Sequence, residues 1–113
     1  MSTLSTHVLD TQSGRPAAGV PITLEFQSAE GWRELTRGTT NADGRVRDFL
    51  PPGTRLEPGT YRMTFHTAEY FRANALRGFY PYVSVVFELG APEEHYHVPL
   101  LLSPFGYSTY RGS

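Results

Sequence analysis

Apolar side chains recur at every second position through much of this chain. Val20, Ile22, Leu24 and Phe26 alternate with Thr23 and Glu25, and Tyr61, Met63 and Phe65 alternate with Arg62, Thr64 and His66. A two-residue period puts one set of side chains on one face, as in a half-buried strand. The same reading predicts strands at Leu4–Leu9, Trp32–Thr39, Arg45–Phe49, Val83–Leu89, His95–Leu102 and Phe105–Arg111. Gly14-Arg15-Pro16 with Gly19, Glu30-Gly31, Asn41-Ala42-Asp43-Gly44 and Pro51-Pro52-Gly53 read as the turns and breaks between them.

The period changes at Thr67–Leu76. Phe71 and Ala75 are four apart, Thr67 suits a cap, Glu69 falls in the first turn, and Arg72 and Arg77 come late, so a short helix ended by Gly78 is predicted. Eight short strands and one helix predict an all-β domain of two packed sheets spanning residues 1–113. In the strand at His95–Leu102, Tyr96, Val98 and Leu100 share one face, and His95, His97 and Leu101 share the other. Val86, Leu101 and Tyr107 add a second apolar face to the late strands. A subunit interface is the natural cover for it, with the helix and loops as the alternative.

Composition removes several chemistries. There is no cysteine, so disulfides and thiolate nucleophiles or ligands are excluded. All ten basic residues are arginine, which excludes a lysine Schiff base. A net charge of −1 offers no field for nucleic acid or anionic lipid. No apolar run approaches the roughly 20 residues that span a bilayer. The polar start shows no secretory pattern, and a cytoplasmic location is expected.

The candidate chemistry lies near the two ends. His95 and His97 form an H-x-H on one strand, and His7 sits on the first strand. Imidazole exchanges protons near neutral pH, so these are the best acid–base candidates. His95 and His97 with a third ligand, His7 or a carboxylate such as Glu93 or Glu94, would also suit a metal, and a solvated His95 with a hydrogen-bonded His97 is the plainer alternative. Arg45 follows the Asp43-Gly44 turn, where it can clamp a carbonyl-rich or anionic ligand or pair with Asp43 or Asp48. The last seven residues, Tyr107 to Ser113, are aromatic and carry a cation and a hydroxyl. They are expected to be placed in a site rather than frayed.

Three segments together resemble the 5-hydroxyisourate hydrolase family of transthyretin-related enzymes. They are Leu4-Ser5-Thr6-His7-Val8-Leu9-Asp10, Thr40 to Arg45, and His95-Tyr96-His97-Val98-Pro99-Leu100-Leu101-Leu102-Ser103-Pro104 followed by Tyr107 to Ser113. The terminal Tyr110-Arg111-Gly112-Ser113 is the family's hallmark and separates the enzyme from the hormone carrier transthyretin.

The resemblance implies a transthyretin-like β-sandwich of two four-stranded sheets with one short helix. It implies a homotetramer, a dimer of dimers, with sites in the clefts where dimers meet. It implies hydrolysis of 5-hydroxyisourate, in urate breakdown, to 2-oxo-4-hydroxy-4-carboxy-5-ureidoimidazoline, without metal or organic cofactor. The implied catalytic set is His7, Arg45, His97 and Ser113. His7, Arg45, Tyr110, Arg111 and Gly112 would hold substrate, and His95 falls outside the set. Which histidine is the base stays open. A non-catalytic small-ligand carrier of the same fold is the rival reading.

Overall fold

The computed structural model describes residues 2–91 and 93–112. Eight strands and one helix follow in order: β1 (Thr3–Asp10), β2 (Arg15–Pro16), β3 (Pro21–Ser28), β4 (Gly31–Thr39), β5 (Gly59–Phe65), α1 (Thr67–Ala73), β6 (Val83–Leu89), β7 (His95–Ser103) and β8 (Gly106–Thr109). They form two four-stranded sheets, ordered β2-β1-β7-β8 and β4-β3-β5-β6. The predicted sandwich is therefore observed.

The period-two pattern sets the core. Leu4 and Val8 from β1, Ile22 and Leu24 from β3, Tyr61, Met63 and Phe65 from β5, and Val98, Leu100 and Leu102 from β7 are all buried between the sheets. Each large apolar side chain taken from water there contributes roughly 1.5–3 kcal/mol. β1 and β7 pair in parallel at the centre of the first sheet, Thr3 beside His95, Ser5 beside His97 and His7 beside Pro99. Alternation then sends Thr3, Ser5, His7, His95 and His97 to the outer face, where all are exposed or half-buried.

Four expectations are corrected. The predicted strand Arg45–Phe49 is absent; Arg45 makes one isolated bridge to His7, and the chain then turns, with Asp48 at φ 52°. Only a single bridge forms because the chain leaves β1 directly after Arg45: Val46 packs against the core and a turn follows at Arg47–Asp48. The eighth strand is instead the two-residue β2, at Arg15–Pro16, a segment whose sequence predicts a loop. The helix is also shorter than predicted. Its N-cap is His66, without a side-chain cap, and it ends at Asn74 rather than Gly78, with Ala75 at φ 56°. Thr67 does not cap because its hydroxyl is buried and donates to the Tyr80 carbonyl at 3.2 Å.

The helix is tied to the far sheet. Tyr70 Oη donates to Asp10 Oδ2 at 2.6 Å, and Asp10 Oδ1 accepts from the backbone N–H groups of Gln12 and Ser13 at 3.0 and 3.2 Å. Burial first, and then this hydrogen bond, push the Tyr70 phenol well above its ordinary pKa. Val86 and Tyr107 stay exposed, as do Phe79, Tyr82 and Phe105.

Candidate functional site

His97 sits half-buried on the outer face of β7, and three separate segments meet at it. The first is β1. Ser5 Oγ lies 2.7 Å from His97 Nδ1, which leaves Nε2 for other partners, and His7 follows on the same face.

The second segment is the turn before Arg45. Asn41 closes it: its Oδ1 accepts from the Asp43 and Arg45 N–H groups at 2.9 and 3.2 Å, and its own N–H donates to the Arg45 carbonyl at 2.7 Å. Gly44 has φ +74° and its carbonyl accepts from the Val8 N–H at 2.9 Å. A β-carbon there would come within 2.5 Å of the Val8 carbonyl oxygen, so only glycine lets the turn press on β1. The result is the bridge that sets Arg45 beside His7.

The third segment is the carboxyl-terminal tail. Gly112 bridges to His97, its N–H donating to the His97 carbonyl at 2.8 Å. A β-carbon on Gly112 would lie 2.5 Å from Cδ2 of the imidazole. The tail thus leaves β8 and crosses directly beside the ring.

The electrostatics follow. Burial lowers the His97 pKa first, and the charges of Arg45, His7 and His95 lower it further, against a smaller opposing effect from Ser5. His97 is therefore held neutral at neutral pH. A neutral imidazole with one nitrogen committed to a hydroxyl is equipped to take a proton from water at the other.

Tyr110 and Arg111 lie on a different side of the same histidine. A cleft of about 250 Å³ between the edge strands β6 and β8 is lined by Val85, Phe87, Tyr96, His97, Tyr110 and Arg111. Arg111 is engaged there: Nη2 donates to Glu94 Oε2 at 2.9 Å, and the guanidinium stands 4.7 Å from the centre of the Tyr96 ring. Tyr110 is exposed. Ser113 lies outside the described residues. A larger groove, about 470 Å³, crosses the second sheet, but its Arg62 and Arg37 are each held by a carboxylate, Glu25 and Glu34.

Of the sequence-predicted residues, then, His7, Arg45, His97 and Gly112 come together, with Tyr110 and Arg111 on the cleft side. Sequence reasoning gave no role to Ser5 or Thr3, and it offered Glu94 only as a metal ligand, whereas here Glu94 pairs with Arg111. The signal for Ser5 was its place two residues before His7, on the same strand face. Among the described residues no group of three or more His, Asp or Glu is arranged to hold a metal ion.

The sequence comparison decides the family. The model described as the HIUase/Transthyretin family matches residues 4–112. The chain belongs to that family. It is similar to the 5-hydroxyisourate hydrolase of Salmonella dublin, 49% identical over 97% of this chain and 80% of that protein. Among solved structures, the 5-hydroxyisourate hydrolase of Klebsiella pneumoniae superposes with a TM-score of 0.86 at 38% identity over 100% of both chains. Transthyretin from Sparus aurata superposes with a TM-score of 0.91 at 30% identity, over 99% of this chain and 97% of that one. The sandwich is thus common to enzyme and carrier, and the separation rests on the side chains at the site.

Proposed function

We propose that this chain, as one domain over residues 1–113, is a 5-hydroxyisourate hydrolase of urate breakdown. It opens the six-membered ring to 2-oxo-4-hydroxy-4-carboxy-5-ureidoimidazoline. The observation that carries the reading is the meeting of β1, the Asn41–Gly44 turn and the tail at one neutral imidazole, His97. The family relatives named as hydrolases support it. In this mechanism His97 Nε2 takes a proton from water as the oxygen attacks the ring carbonyl. His7 orients that water. Arg45 donates to the oxyanion that develops on the carbonyl oxygen, where a fixed cation stabilises the transition state more than the ground state. Tyr110, Arg111 and Gly112 shape the substrate pocket, and Ser113 orders water or its proton.

The working unit in this reading is a cytoplasmic homotetramer, a dimer of dimers. Its support is the exposed Phe79, Tyr82, Val86, Phe105 and Tyr107, apolar surface that a subunit interface would cover. No described helix is long and apolar enough to cross a membrane. A carrier pocket is expected to be mostly apolar, unlike one with two imidazoles and a guanidinium.

The test is the absorbance decay of freshly generated 5-hydroxyisourate. Added protein accelerates it, and His97→Ala loses the acceleration. Decay at the spontaneous rate ends the hydrolase reading. An active monomer in sedimentation ends the tetramer, and activity lost to chelator and restored by zinc ends the cofactor-free mechanism.

A further inference from the structure

Behind His97 runs a line of hydrogen bonds that the hydrolase reading does not use. Ser5 Oγ lies 2.7 Å from His97 Nδ1 and 3.1 Å from His95 Nε2, and His95 Nδ1 lies 2.6 Å from Thr3 Oγ1. A line of four side chains therefore runs from half-buried His97 through Ser5 to exposed His95 and Thr3. The parallel register builds the line, because it sets Ser5 beside His97 and Thr3 beside His95 on one sheet face.

A hydroxyl has one proton, and a neutral imidazole has one donor and one acceptor nitrogen. Two arrangements satisfy all four groups. In one, Ser5 donates to His97 Nδ1, His95 Nε2–H donates to Ser5, and Thr3 donates to His95 Nδ1. In the other every proton is reversed: His97 Nδ1–H donates to Ser5, Ser5 to His95 Nε2, and His95 Nδ1–H to Thr3. Only the second leaves a lone pair on His97 Nε2, as a base requires. The two differ by one proton moved along each link.

A cation at His97 is disfavoured by burial and by the cationic groups around it, against a smaller effect from Ser5 and with exposed Glu88 as the carboxylate in the same cleft. His7 faces it from β1, Arg45 from the turn and His95 from its own strand, while the nearby Arg111 is paired with Glu94. A base in that position needs a way to accept a proton without keeping the charge.

We propose that Ser5 and His95 are positioning residues that hold His97 with Nε2 free and let it accept the proton of the attacking water while staying neutral. The proposal rests on the reading of His97 as the base. As the C–O bond forms and one O–H bond of water breaks, Nε2 gains that proton. The Nδ1 proton passes to Ser5, the Ser5 proton to His95 Nε2, and the His95 Nδ1 proton to Thr3 and solvent. When the ring C–N bond breaks, its nitrogen takes the proton from Nε2, and the line shifts back by taking one proton from solvent. The new carboxylic acid then ionises, so one proton is released per turnover.

The experiment measures kcat and KM of wild type, Ser5→Ala, Ser5→Thr and His95→Ala with freshly generated 5-hydroxyisourate, in mixtures of H2O and D2O. Ser5→Ala and His95→Ala are expected to lose roughly ten- to a hundredfold in kcat with KM held within about twofold. Ser5→Thr keeps the hydroxyl and regains most of the rate. Free imidazole restores His95→Ala but not Ser5→Ala. The rate falls along a curve with deuterium fraction in wild type, where several protons move together, and along a straight line in both alanine variants. Lower rates with the wild-type curvature kept would reduce both residues to structural supports and overturn the relay. So would wild-type rates in both alanine variants of an active enzyme, and that outcome leaves the hydrolase reading standing. No turnover by wild type overturns both together. His95 is exposed, so its alanine variant carries the test if Ser5→Ala does not fold.

Discussion

Gly112 lies against the ring of His97 with no room for a side chain: a β-carbon would meet imidazole Cδ2 at 2.5 Å, while the Gly112 N–H holds the His97 carbonyl at 2.8 Å. The tail and the histidine are thereby one unit, and the ring's direction depends on a residue 15 positions later, counting from 97 to 112.

Gly112→Ala is expected to turn the ring aside while the buried core, which position 112 does not enter, keeps its stability. A shift of about 1 Å at a catalytic group costs on the order of a hundredfold in rate. The measurement is kcat beside the thermal midpoint. An unchanged kcat would show that the tail does not orient His97.

Arg45→Gln removes a positive charge that lowers the His97 pKa. The His97 pKa then rises toward its ordinary value, so the acid limb of the pH–rate profile moves to higher pH. Loss of the proposed oxyanion donor is also expected to lower kcat by roughly a hundred- to a thousandfold. Profiles of kcat/KM for both proteins check the shift. An acid limb that stayed in place would separate Arg45 from His97.

Folding stability should fall in acid partly through His97. Its folded pKa lies below that of an ordinary imidazole, about 6.5. As pH drops below the ordinary value, the unfolded chain binds the proton first, and acid favours unfolding. The contribution is whole above about pH 6.5 and is lost as pH falls through the folded value. Urea midpoints of wild type and His97→Gln, compared at several pH values, isolate it. The variant should show the flatter dependence, and parallel curves would contradict the depressed pKa.

Tyr70→Phe tests the link between helix and sheet. It leaves Asp10 Oδ2 without its 2.6 Å donor in a buried setting, at a cost of about 1–3 kcal/mol. The site lies elsewhere on the sheet, so kcat should hold. Chemical denaturation and the absorbance assay together decide it; a large loss of kcat in stable protein would mean that the helix communicates with the site.

Most strands were legible because their cause is local. At Val20–Phe26 and Tyr61–Phe65, alternation dictates which face is buried: the observed β3 buries Ile22 and Leu24 and half-buries Phe26, and β5 buries Tyr61, Met63 and Phe65. The failures are equally physical. Arg45–Phe49 has strand-like residues but turns away from β1 after one bridge, and Arg15–Pro16 pairs with β1 only because the turn at Thr11–Gly14 returns it there. The helix stops early where Ala75 takes a left-handed conformation, a choice its sequence does not announce.

For the site, the motif order and the residue types were already present in the chain: His7, Arg45, His97 and Gly112 are all named by their segments. Their meeting was not. Ser5 and His97 stand 92 positions apart, and their 2.7 Å contact exists because β1 and β7 pair in parallel at one register. Side-chain alternation is a property of each strand and can be read from it. Register between distant strands is set by the burial of the whole core, which no single segment encodes, so the sequence determined the faces and the tertiary structure alone decided which faces share a site.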